Sequence, residues 1–412
     1  MLKASDFGLT GSDIQLIATR YFGRALTVQD AWIEAFGGTP DGFLADHLAL
    51  KCAVSTINGA KTAKQLSFFV KVVPNGNPVL AKYLQEIGSF QKEIAVCEKV
   101  IPRIVEQIGA TQIVPRYLLT KGDRLIVMEN VKLEGYDILK GNGGLLSYRH
   151  LEKAFEALAR MHAGSILLEE KEHMDLLKLF PGTLAENAWT GDEASIRTRD
   201  VRNVIDMWCE FMKITETDTA RLQKILMGLR ETLRQIYEYV KPSKKWRNVF
   251  SHGDLWNNNL MFRYTRSGEP ESCVLVDFQL SRYTPPAYDI NMLLALTTTK
   301  SFRFEHMSPL LERYYDEFHR NLCQRGIDPT DVYTKQSFFE CCKYYRQAGQ
   351  IHGCIIAPEV LMPQDLMNEI FACSAEYTGF MPAAKVDVCL KAFRQNNDYR
   401  DRLLDMVQEL IS

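Results

Sequence analysis

The chain has 412 residues, 46% apolar and 24% charged, and its 49 Lys+Arg against 51 Asp+Glu give a net charge of -2. This balance, with no Lys/Arg-rich run, offers a nucleic-acid partner no electrostatic support, and no apolar run approaches the roughly 18 residues of a membrane span. The length accommodates two lobes or domains. The opening Met1-Leu2-Lys3-Ala4-Ser5-Asp6 has no signal-peptide core. The ten cysteines, including adjacent Cys341 and Cys342, are scattered without paired C-x-x-C spacing. They read as reduced, mostly buried thiols, and the cytoplasm is the expected location.

Residues 24 to 73 read as strands, with runs at His47 to Val54 and Leu66 to Val73 that end at Pro74-Asn75-Gly76-Asn77-Pro78. One helix is expected next, because Leu80, Tyr83, Ile87, Phe90, Ile94, Cys97 and Ile101 recur every three or four residues. Arg116 to Thr120 and Leu125 to Met128 flank the turn Lys121-Gly122-Asp123 and predict a hairpin. The first 130 residues are therefore mostly sheet plus one helix. The remainder reads as helical, with Ser147 opening an amphipathic run and further patterns over 199 to 214 and 217 to 240. Only 249 to 280 reverts to β-character, and helices resume from Asp289. The lobe boundary is expected near Asn130 to Gly135, giving lobes 1–131 and 132–412.

The most informative stretch is Ser251-His252-Gly253-Asp254-Leu255-Trp256-Asn257-Asn258-Asn259-Leu260, followed by Val274-Leu275-Val276-Asp277-Phe278-Gln279. Leu260 to Tyr264 and Cys273 to Asp277 read as strands around the turn Thr265 to Ser272. Closing that hairpin returns Asp277 to Asn259, beyond a loop that carries Asp254. Hard oxygen donors of this kind suit Mg²⁺, which takes one or two protein carboxylates and completes its shell with phosphate and water.

H-x-D-x-x-x-x-N followed by a hydrophobic strand and D-F-x resembles the catalytic-loop and metal-loop pair of kinases. The H-G-D form resembles the aminoglycoside phosphotransferase and choline kinase group. His252 to Trp256, Asn258-Asn259 and Val276 to Gln279 together resemble the ecdysteroid kinase-like family. The resemblance implies a bilobal, protein-kinase-like α+β fold, with a small antiparallel-sheet N-lobe and a larger helical C-lobe. It implies ATP and Mg²⁺ as cofactors, Asp254 as the catalytic base, and Asn259 and Asp277 as metal ligands. Gln279 replaces the D-F-G glycine and fits this family. Asp289 matches a position that braces the catalytic loop, although a helix N-cap would place an acid there too; His162 reads as structural.

A kinase also needs a cation for the α/β-phosphates and an acid to hold it. Lys71 is the candidate cation, with Lys51 and Lys64 as competitors. Glu86, Glu93 and Glu98 are the available acids, and the family pattern F-x-x-E selects Glu93. By the same likeness the Glu129 carbonyl and the Val131 amide contact adenine. Gly37-Gly38-Thr39-Pro40-Asp41-Gly42 matches no phosphate-loop pattern fully; by the resemblance Gly42 to Ala45 is the stretch that would cover phosphate, with a plain β-turn as the equal alternative.

Only twelve positions separate Asp277 from Asp289, too few for a peptide-docking activation loop, and Gly253 replaces the H-R-D arginine. A protein substrate is therefore not expected. The resemblance implies a small hydroxyl acceptor such as an ecdysteroid or hydroxylated xenobiotic. Choline-, ethanolamine- or aminoglycoside-type acceptors, a pseudokinase binding module and a metal-dependent phosphohydrolase are the alternatives. Phe302, Phe304, Tyr314, Tyr315, Phe318, Phe338, Phe339, Tyr344 and Tyr345 read mainly as core, and an apolar acceptor pocket would draw on some of them.

Overall fold

The computed structural model describes residues 2–24, 26–36, 45–55, 64–74, 78–109, 112–363, 366 and 383–411. Strands β1 (Leu2–Lys3), β2 (Thr27–Ala35), β3 (Asp46–Ser55), β4 (Lys64–Val72), β5 (Tyr117–Lys121) and β6 (Leu125–Glu129) form one antiparallel sheet in the order β1-β2-β3-β4-β6-β5. Side chains alternate across it. Leu66, Phe68, Val70 and Val72 of β4 join Leu125 and Val127 of β6 in a core shared with Ile14 and Ile17 of helix α1 (Gly11–Phe22). Ile126 and Met128 face the other way, into the core that continues through the helical part of the chain. Both faces of β6 are thus covered, which explains its unbroken apolar run.

The first 130 residues hold more than the single helix expected. Helix α1 is an addition, and its signal was present: Thr10 Oγ1 accepts from the Asp13 N–H at 3.2 Å while Asp13 Oδ2 accepts from the Thr10 N–H at 2.7 Å, a capping box written as Thr-x-x-Asp. The helix expected from Leu80 is divided into α2 (Pro78–Ile87), α3 (Ser89–Ala95) and, after a π-turn at Val96–Val100, α4 (Ile101–Ile108). Gly88 makes the first break by adopting φ 63°, a left-handed conformation open to glycine.

Beyond the sheet come β7 (Tyr136–Ile138), α5 (Tyr148–Glu172), α6 (Leu176–Leu179), α7 (Ile196–Thr215), α8 (Thr219–Arg234) and α9 (Ile236–Tyr239). Next are β8 (Val249–Ser251), β9 (Leu260–Tyr264), β10 (Pro270–Leu275) and β11 (Arg282–Thr284). The C-terminal helices are α10 (Pro286–Thr297), α11 (Lys300–Cys323), α12 (Pro329–Val332), α13 (Lys335–Val360), α14 (Ala383–Gln395) and α15 (Asn397–Ile411). Ser147 caps α5 by accepting from the His150 N–H at 3.4 Å.

The expected hairpin forms as β9–β10, with Leu260 opposite Leu275, but its return strand runs from Pro270 to Leu275 and stops two residues short of Asp277. Two short strands were not expected: β7 pairs with β9, and β11 pairs with β8. Helix α10 begins at Pro286, earlier than Asp289, because a proline at the first helical position gives up no needed N–H. An antiparallel-sheet region followed by a mostly helical remainder is the bilobal α+β arrangement expected. Among the described residues no helix is long and apolar enough to cross a membrane, and every described cysteine is unpaired, with Cys323 alone exposed.

Candidate active site

Strand parity separates the three candidate lysines. Leu66, Phe68, Val70 and Val72 face the α1 side, so Lys71 faces the opposite way. Lys64 has the parity of Leu66 and lies 5.3 Å from the Phe22 ring of α1. Lys51 shares the parity of Lys71 but pairs with Ser67, whereas His47 pairs with Lys71, four residues and roughly 13 Å along the strand. The acids separate as clearly. Lys71 Nζ lies 2.7 Å from Glu93 Oε2 and 2.9 Å from Asp277 Oδ1. Glu86 pairs instead with Lys82 at the surface, and Glu98 bonds the Thr120 hydroxyl. Burial works against the Lys71 charge, but Asp277 and Glu93 beside it outweigh that and keep the ammonium protonated.

The loop after β8 is held from outside itself. Asp289, fully buried in the first turn of α10, accepts from the His252 N–H at 2.6 Å and the Gly253 N–H at 2.9 Å. His162 of α5 donates Nε2–H to the same carboxylate at 3.2 Å and accepts from the Tyr314 hydroxyl at 2.7 Å. Burial raises the Asp289 pKa, but His162, His252 and the Gly253 amide overcome it and hold the group below the usual range. Asp289 is thus a brace, not an N-cap. Gly253 adopts φ 78°, and a Cβ there would press on the Leu280 carbonyl oxygen and stand 2.9 Å from the carbonyl carbon. Gly253→Ala is therefore expected to destabilise the fold by about 3 kcal/mol, read as a lowered urea midpoint; an unchanged midpoint would contradict the close approach.

With the loop pinned, the three motif residues converge. Asn259 donates its amide to the Asp254 carbonyl at 2.7 Å and to Asp254 Oδ2 at 3.1 Å, which leaves its own side-chain oxygen as a donor atom for a cation. Asp277 takes φ 70°, a left-handed conformation costing a non-glycine residue roughly 1–2 kcal/mol. The Asp277 side chain is 27% exposed to the cleft while bonded to Lys71. Phe278 is buried beside it, 4.6 Å from the His252 ring. Burial and the nearby Asp277 charge push the Asp254 carboxyl up to about 7, against the hydrogen bonds of Asn259 and Gln279. Gln279 thus reaches the candidate base, a contact the sequence did not reveal.

One carboxylate and one amide oxygen fit Mg²⁺ by chemistry, since this ion takes few protein ligands. Among the described residues no group of three or more His, Cys, Asp and Glu side chains is arranged to hold a metal.

These residues line a cleft of about 1330 Å³, counted to its open mouth. The sheet side contributes Phe36, Ala45, Phe69, Met128, Glu129 and Val131. Glu129 turns its carboxylate to Arg116, 2.7 Å away, while Val131 opens a 3₁₀ turn as the chain leaves the sheet. Residues 37–44, which include the glycine-containing stretch and Gly42, lie outside the described residues; Ala45 lines the cleft.

The helical side contributes Trp189, Arg197, Trp256, Leu280, Ile356, Glu359 and Val360. None of the ten aromatics from Phe302 to Tyr345 lines the cleft. Tyr314, Phe318 and Phe338 pack together in the core, and Phe304 is 93% exposed. Trp256 is 9% exposed and borders the cleft. Trp189 and Glu359 were missed. The signal for Glu359 was an acid within the apolar run Ile355-Ile356-Ala357-Pro358-Glu359-Val360, where an unpaired charge is rarely buried.

No curated protein matches the chain. Among solved structures it is similar to an aminoglycoside phosphotransferase APH(2″) in complex with GDP and kanamycin, at 10% identity over 94% of this chain and 100% of that chain, TM-score 0.41. It is also similar to the choline kinase LicA from Streptococcus pneumoniae, at 13% identity over 96% and 98%, TM-score 0.38. A choline/ethanolamine kinase family protein from Mesorhizobium loti shares 12% identity over 96% and 98%, TM-score 0.34. Likenesses this distant add nothing to the family assignment, which rests on a match to the ecdysteroid kinase-like family model over residues 41–326. The chain belongs to the ecdysteroid kinase-like family.

Proposed function

We propose that this chain is an ATP- and Mg²⁺-dependent phosphotransferase acting on a hydroxyl of a small, lipophilic acceptor such as an ecdysteroid or hydroxylated xenobiotic. The observation that carries this reading is the convergence of Asp254, Asn259, Asp277 and the Lys71–Glu93 pair at one cleft. Residues 1–131 form the nucleotide lobe and 132–412 the acceptor lobe. The Glu129 carbonyl and Val131 amide bond adenine, and Lys71, held by Glu93, faces the α/β-phosphates. Mg²⁺ held by Asp277 and Asn259 would neutralise charge gathering on the β- and γ-phosphates. Asp254 orients the acceptor hydroxyl and finally takes its proton. The hydroxyl oxygen bonds to the γ-phosphorus as the bond from that phosphorus to the β–γ bridging oxygen breaks, and ADP leaves.

Leu280, Ile356, Val360 and the two tryptophans support a lipophilic acceptor, because burying apolar surface gains about 25 cal/mol per Å² without a charged anchor. The test offers purified protein, ATP and Mg²⁺ a choice of ecdysteroids, phenolic glucosides, choline, ethanolamine and kanamycin. Phosphate esters of the first two classes are expected. Preference for choline, ethanolamine or kanamycin would replace the acceptor class, and ATP turnover indifferent to every acceptor would remove the kinase reading.

A further inference from the structure

Two buried side chains at the helical end of the cleft each keep a polar atom out of use. Trp189 and Glu359 are both 1% exposed and both line the cleft. Among the described residues, Trp189 Nε1 and Glu359 Oε2 have no hydrogen-bond partner. Buried polar atoms are nearly always paired, so a donor and an acceptor left without partners on two residues that line the same end of one cleft call for an explanation.

Neither side chain is loosely held. Glu186 Oε1 accepts from the backbone N–H groups of Ala188 and Trp189, each at 2.8 Å, and Glu186 Oε2 lies 3.0 Å from Arg282 Nε. Asn187 accepts from Lys92 Nζ at 3.0 Å and donates to the Ile87 carbonyl at 3.1 Å, tying the same segment to α3 and the end of α2. The Trp189 ring stands edge-on to His352 of α13 at 5.8 Å, with the Arg197 guanidinium 5.8 Å from its centre. Glu359, near the end of α13, gives its other oxygen to Lys385. Both orphan atoms are therefore fixed in place before any ligand arrives.

Charge at this end is balanced. Burial pushes the Glu359 carboxyl above its usual range, while Lys385 and Arg197 favour its anion and Asp200 opposes it. A cation entering here would meet two bases as well as two acids, so the site gives it no net attraction. A hydroxyl group can both donate and accept, as the two orphans require.

We propose that this end of the cleft is a second-hydroxyl subsite: Trp189 Nε1–H donates to, and Glu359 Oε2 accepts from, uncharged hydroxyl groups of the acceptor other than the one facing Asp254. The inference rests on the proposed phosphotransfer and narrows its substrate class. The acceptor is a polyol on an apolar frame, and a compound with one hydroxyl is a poor ligand because it leaves the orphans buried and unpaired.

The test uses the full chain with Mg²⁺ and AMP-PNP. The probes are 20-hydroxyecdysone, oestradiol, 17-deoxyoestradiol and choline, with binding read by calorimetry. Oestradiol is expected to bind the wild type about tenfold tighter than 17-deoxyoestradiol. Trp189→Phe keeps the ring, removes the N–H and should shrink that ratio to about twofold, with AMP-PNP affinity unchanged. Equal binding of the two oestrogens, a ratio that survives Trp189→Phe, tighter binding of choline, or AMP-PNP binding without binding of either polyol would each overturn the subsite. The first comparison needs no variant, so a poorly folded mutant would not shield the proposal. Failure to bind AMP-PNP would instead overturn the phosphotransferase reading itself.

Discussion

Asp254→Asn is expected to lower kcat by about 10²-fold or more, with ATP affinity little changed, because it removes the proposed proton acceptor and leaves the proposed nucleotide contacts alone. The same change is expected to stabilise the nucleotide-free protein at pH 8. The sign follows from the two states: in the folded chain the Asp254 carboxyl titrates near about 7, against 3.8 for an unperturbed group. Between those values the folded protein holds a proton that the unfolded chain releases. Stability therefore falls as pH rises from about 4 to about 7 and stays lowered above that. An uncharged Asn escapes the penalty, so the gain is on the order of 4 kcal/mol at pH 8 and vanishes near pH 4. Wild-type turnover should rise with pH as the carboxylate forms. Thermal melts at both pH values, with kcat against pH, check this; undiminished turnover, or the same Tm difference at both pH values, would remove Asp254 from the role.

The second large effect belongs to Asp277. Replacing it with Ala should lower kcat about 10³-fold and raise the Mg²⁺ requirement at least about tenfold, since it takes away the only carboxylate of the assigned metal pair. Asn259→Ala should act in the same direction but less severely, because a dipole is lost and not a charge. Asp277→Asn is the control for the backbone: Asn tolerates the left-handed φ of 70° as Asp does, so it should remain folded and still show a raised Mg²⁺ requirement. Identical Mg²⁺ titrations for wild type, Asp277→Asn and Asn259→Ala would disprove the metal assignment.

The legible parts of this chain were those written in local patterns. Period-two alternation located β3 and β4 and an unbroken apolar run located β6, and the alternation of β4 also determines that Lys71, not Lys64, faces the cleft. Fixed spacing located Asp254, Asn259 and Asp277, because a hairpin returns its two ends to one place whatever its turn. What stayed hidden depends on packing between distant segments. Strands β7 and β11 are three residues each and exist through their partners β9 and β8, so no periodicity could announce them. The contact of Gln279 with Asp254, and the approach of Trp189 and Glu359 to the cleft, join segments far apart in sequence. The aromatic-rich helices misled for a related reason: helical spacing cannot tell a ring facing a core from one facing a cavity.

The brace at Asp289 has a consequence for synthesis on the ribosome. The amides of His252 and Gly253 are anchored by a side chain that follows them by more than thirty residues, and that carboxylate is itself oriented by His162. A nascent chain that has exposed residues up to Asp277, but not yet α10, owns the candidate side chains of the loop and lacks the anchor that sets their geometry. The geometry of the proposed site is thus completed only once α10, a helix that does not line the cleft, has been made.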